Sequence, residues 1–95
     1  MRLMTPEDFE PWLGKMVRVA TEPAPVEVKL VRLQRSAWHA RDFREPFALF
    51  FESSLSVYLL DMAYEFDCGQ GGPYSIFITQ LQPQPGARLY QAVFN

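Results

Sequence analysis

Residues 45 to 52 read Glu45-Pro46-Phe47-Ala48-Leu49-Phe50-Phe51-Glu52, with Phe47, Leu49 and Phe51 two apart and therefore on one face of a strand. Pro46 has no N–H to give to a ladder, which places it at the strand's start. Phe50 is out of phase and shares the other face with Ala48 and Glu52. The same period of two recurs along the chain. Val17 and Val19 mark a strand near residues 15 to 21, and Val26, Val28 and Leu30 alternate with Glu27 and Lys29 in a strand running to about Gln34. Met62, Tyr64 and Phe66 alternate with Ala63, Glu65 and Asp67. A fifth strand covers residues 74 to 79, with Tyr74, Ile76 and Ile78 on one face and Phe77 on the other, and a sixth covers 88 to 94.

Only the first residues carry a helical signal. Thr5 stands at an N-cap, Pro6 at the first helical position, and Asp8 where its carboxylate can return a hydrogen bond to the cap. Phe9, Trp12 and Leu13 then share a face at i, i+3 and i+4. The ring of Pro11 would clash with the carbonyl of Glu7, so the expected element is short, with a kink or a 3₁₀ second turn, and Gly14 ends it.

The turns are short: Glu22-Pro23-Ala24-Pro25, Gly69-Gln70-Gly71-Gly72 and Gln82-Pro83-Gln84-Pro85-Gly86. Two stretches break the alternation, 35–45 and 53–60. One short helix and six closely spaced strands predict an all-β domain with an antiparallel meander, because tight connections cannot carry parallel crossovers. The expected form is a six-stranded, partly open barrel or highly curved sheet with the helix plugging one end; a two-sheet sandwich is the alternative.

Composition adds limits. The 95 residues make one domain, residues 1–95, with 48% apolar and 21% charged side chains, a globular balance. A net charge of −2 gives no global pull towards nucleic acid or anionic membrane, and no apolar run is long enough to span a bilayer. With Cys68 the single cysteine, no internal disulfide forms, and a reducing, cytoplasmic setting is expected.

Thr5 and Phe9, the Leu13-Gly14 helix end, the Glu45 to Phe51 stretch, Tyr64 and the closing Tyr90-Gln91-Ala92-Val93-Phe94-Asn95 together carry a resemblance over the whole chain. The chain resembles an uncharacterised family of small bacterial proteins, a domain of unknown function. That resemblance implies a fold more than a function. It also implies an accessory or assembly role, since the family looks like one encoded near tail-collar-type phage fibre proteins, and it brings no catalytic residues.

The residues themselves offer little chemistry. Cys68 with His39 and Asp42 would be the acyl-transfer set, but nothing in the sequence brings them together, and Cys68 lies at a strand end, where no helix N-terminus lowers its pKa. Gly69 to Gly72 precedes a strand, whereas phosphate loops open a helix. One His and one Cys supply no spaced metal set, so no cofactor or metal is expected. Arg32, Arg35, Arg41 and Arg44 interleave with Trp38, His39 and Phe43 as on single-strand-binding surfaces, yet Asp42 and Glu45 halve that charge, and no nucleic-acid partner is expected. The expectation is a non-enzymatic structural or interaction domain with a protein partner or a second copy of itself; a small barrel binding an apolar ligand is the alternative. Phe50, Phe77, Trp38 and Arg41 are the candidate interaction residues, the first two because apolar side chains on both faces of a strand call for a second cover.

Overall fold

A computed structural model describes residues 4–35, 46–69 and 72–94. The helix α1 spans Pro6–Phe9 and runs into a 3₁₀ turn, Glu10–Trp12; six strands follow, β1 (Met16–Val19), β2 (Val26–Arg35), β3 (Phe47–Ser53), β4 (Met62–Asp67), β5 (Tyr74–Gln80) and β6 (Arg88–Phe94). They close into an antiparallel barrel in the order β1-β2-β3-β6-β5-β4. The all-β class, the antiparallel pairing and the single short helix are as the sequence predicts.

The strand order corrects the simple meander. β1-β2-β3 and β4-β5-β6 are two meanders, joined where β3 pairs with β6 and β4 with β1. The cause lies in residues 54–61, too long a connection for a tight hairpin. This segment crosses one end of the barrel, buries Leu59 in the core, and delivers β4 beside β1, so that β3 keeps a free edge for β6. The expected barrel is there, closed rather than partly open, and the sandwich alternative falls away. Two seams are short: Arg18 and Val19 pair with Asp67 and Phe66, and Thr79 and Gln80 pair with Gln91 and Tyr90.

Side chains alternate as the pleat demands. β3 buries Phe47, Leu49, Phe51 and Ser53, its neighbour β6 buries Tyr90 and Ala92, and β5 buries Ile76 and Ile78. Each large apolar side chain removed from water in this way contributes about 1.5 to 3 kcal/mol. In β2 the phase changes once. The register moves from Leu30↔Phe51 to Arg32↔Phe50, leaving Val31 as a bulge residue, and beyond it Leu33 rather than Arg32 faces the core.

The helix seals the other end. Asp8 Oδ2 accepts from the Thr5 backbone N–H at 2.8 Å and from the Thr5 hydroxyl at 3.2 Å, the return half of the expected cap. Pro11 falls inside the 3₁₀ turn, as its ring requires, and Gly14 takes a φ of +76°, which an L side chain would resist. Phe9 and Trp12 are fully buried. Leu13 departs from expectation and is 42% exposed, because the tighter 3₁₀ turn and its extended ψ of 130° swing it off the helical face.

Candidate functional site

The helix end is aromatic. Phe9 meets Trp12 edge-on at 5.1 Å between centroids, Tyr74 at 5.4 Å and Phe94 at 5.6 Å, while Phe47 and Phe94 stack at 4.5 Å. Arg35, brought to the inner phase by the bulge, reaches from the end of β2 to Glu7 at 2.8 Å and Glu10 at 2.7 Å. The Arg35 hydrogen bond holds the Glu7 carboxyl below the usual glutamate range. Rings fill this end, and an ion pair fastens the helix over it.

On the outside of the barrel, Phe77 is 58% exposed and so is Val93. Phe50 also points outward but is half-buried, with the Arg32 guanidinium 5.3 Å from its ring centroid. The sequence therefore placed both rings on the correct face, and the structure separates them: Phe77 is open and Phe50 is covered. The outward positions Ser75, Phe77, Thr79, Gln91 and Val93 of β5 and β6 carry no charge, while β3 turns Glu52 outward beside Ala48 and Phe50, and β1 and β2 turn out Arg18, Glu27, Lys29 and Arg32. Trp38 and Arg41, with His39, Asp42, Phe43 and Arg44, lie outside the described residues.

Cys68 is partly buried, its Sγ 3.7 Å from the Met16 carbonyl oxygen. Burial pushes its thiol up against the weaker pull of Lys15, the reverse of what a thiolate nucleophile needs. Among the described residues no three His, Cys, Asp or Glu side chains come together as a metal-binding set.

Sequence reasoning passed over residues 54–61. This segment sends Leu59 inward, 3% exposed, and leaves Leu55, Tyr58 and Leu60 at 49%, 61% and 58%. Its backbone is nonetheless tied down. The Tyr90 hydroxyl donates to the Val57 carbonyl and shares a hydrogen bond with Ser53 Oγ at 3.2 Å; Arg88 Nε donates to the Leu55 carbonyl, and its guanidinium stands 4.9 Å from the Tyr58 ring centroid. Leu60 N–H donates to the Tyr64 hydroxyl, and Gln80 N–H donates to Asp61 Oδ1 at 2.9 Å. Between this segment and the β5–β6 turn lies an open groove of about 540 Å³, lined by Tyr58, Leu60, Asp61 and residues 80–83. The available signal was composition: Leu55, Val57, Tyr58, Leu59 and Leu60 make an apolar, uncharged run where a loop is ordinarily polar.

No described helix is long and apolar enough to cross a membrane. Residues 4–94 match the family described as domain of unknown function (DUF6916). Comparison with curated proteins and with solved structures gives no match.

Proposed function

Starting from the fact that the chain belongs to this family, a domain of unknown function, we propose that it is a non-enzymatic interaction domain, a filled barrel that works through its outer surface. The carrying observation is the division of its apolar side chains. Among the described residues fifteen sit in the core at 3% exposure or less, while Phe77, Val93 and Met16 on the strands and Tyr58, Leu60 and Leu55 on the far-end segment stand 49% to 61% exposed. Large apolar side chains left in water on a fixed frame are a recurrent mark of protein-contact surfaces. The alternative, an apolar ligand held inside the barrel, requires space along the axis, and Phe9, Trp12, Phe51, Phe66 and Tyr90 fill it. An accessory or assembly role in the cytoplasm, alongside tail-type proteins, is the setting that the resemblance and the lone cysteine suggest.

The test is recovery of partners by cross-linking in the native host, comparing the wild type with a Phe77→Ser/Val93→Ser variant and with a Tyr58→Ser/Leu60→Ser variant, alongside sedimentation of the purified protein over a concentration series. The expected result is a defined partner, or a dimer, that at least one variant loses while keeping the wild-type thermal unfolding curve. Identical recovery by the wild type and both variants, with a strictly monomeric protein, would overturn the proposal.

A further inference from the structure

We infer that the groove between residues 58–61 and residues 80–83 docks an extended peptide segment that presents a large apolar side chain next to a lysine or arginine. The inference rests on the interaction-domain reading and names both the surface and the chemistry of the partner. Three observations carry it.

The first is size and lining. The groove holds about 540 Å³, and its walls set the exposed ring of Tyr58, the side chains of Leu60 and Leu81, and Pro83 among the polar Gln80, Gln82 and Asp61. An apolar residue laid against these walls leaves water on both partners.

The second is rigidity. Leu55, Val57, Tyr58, Leu60 and Asp61 are each held by a hydrogen bond or a guanidinium–ring contact, and Leu59 is anchored in the core. A mobile loop would fold its apolar side chains back onto the barrel. Here the tethers hold Tyr58 and Leu60 out in water, and a surface already in its bound shape loses little conformational freedom on docking.

The third is charge. Asp61 is the single ionic residue of the lining. Its Oδ1 is fixed by the Gln80 N–H at 2.9 Å, and its Oδ2 has no partner among the described residues. Arg88 of β6 is turned to the Tyr58 ring and the Leu55 carbonyl. A carboxylate oriented from behind, beside an apolar wall, is complementary to a basic side chain flanking an apolar one.

The probe is a displayed library of random short peptides, selected on the folded wild-type domain, with affinities of enriched sequences measured by fluorescence anisotropy. Enriched peptides should pair Leu, Ile, Met or an aromatic residue with a neighbouring Lys or Arg. Asp61→Asn, which keeps an acceptor for the Gln80 N–H, should weaken them about tenfold, the order expected for one charge-assisted contact. Leu60→Ser should weaken them at least as much, and Phe77→Ser should leave them unchanged. Failure to enrich any sequence, or enriched peptides that bind Asp61→Asn and Leu60→Ser as tightly as the wild type, would overturn the inference. If binding is instead lost in Phe77→Ser alone, the groove is wrong and the interaction-domain reading survives on the β5–β6 face.

Discussion

The two ends of the barrel are closed by opposite means. At the helix end, Phe9 and Trp12 point inward and the seal is made of rings, with Arg35 fastening the helix from outside. At the far end a strand-less segment lies across the opening, contributes Leu59 to the core, and is held by the polar atoms of Tyr90, Arg88 and Tyr64. Hydrophobic burial is indifferent to direction, so at the first end the large rings of Phe9 and Trp12 are wholly taken up by the core. Hydrogen bonds fix the backbone without consuming the side chains of the residues they hold, and the second end can therefore be ordered and still display Tyr58 and Leu60.

That contrast can be broken most forcefully at the ring-sealed end. Trp12→Ala should lower stability by about 3 to 5 kcal/mol in urea unfolding, because a fully buried ring leaves a cavity the barrel cannot close. A small effect would mean that the helix lies on the barrel rather than in it. The far end should respond less and more locally. Tyr90→Phe keeps the ring but removes the hydroxyl that serves Ser53 and the Val57 carbonyl, and should cost about 1 to 3 kcal/mol, with amide exchange quickening in residues 54–61 before the strands.

The smallest effect belongs to the Arg35 pair. Glu7 is fully exposed and its pKa is lowered chiefly by the Arg35 hydrogen bond, so the pair's contribution is present above the ordinary glutamate range and is lost as pH falls through the lowered value. The wild type and Arg35→Gln should differ slightly near neutral pH in low salt and converge on acidification or in high salt, as read from thermal midpoints. A difference that persists in acid would show that Arg35 acts by something other than this ion pair.

Much of the helix end was legible in the sequence. Thr5, Pro6, Asp8 and Pro11 each act through local backbone geometry, which neighbours in sequence determine, and the alternation of Phe47, Leu49 and Phe51 reports directly on the pleat. What escaped depends on distant partners. Val31 becomes a bulge only against Phe50 and Phe51 of β3, and β4 lies beside β1 because Leu59 carries the connection across the core. In the far-end segment, Leu55, Leu59 and Leu60 are chemically alike, and periodicity cannot say which one turns inward when no regular element sets a phase. Phe50 shows the same limit: its outward direction followed from period two, but its cover by Arg32 needed the register across two strands.

Adjacent leucines supply the most direct measurement. Equilibrium urea unfolding of Leu59→Ala and Leu60→Ala compares two residues that differ in the sequence by one position and in the structure by 3% against 58% exposure. The account predicts a loss of about 2 to 5 kcal/mol for Leu59→Ala and a change within about 0.5 kcal/mol for Leu60→Ala. Comparable losses for the two would contradict it, because both side chains would then belong to the core and the far end would have no apolar surface to offer a partner.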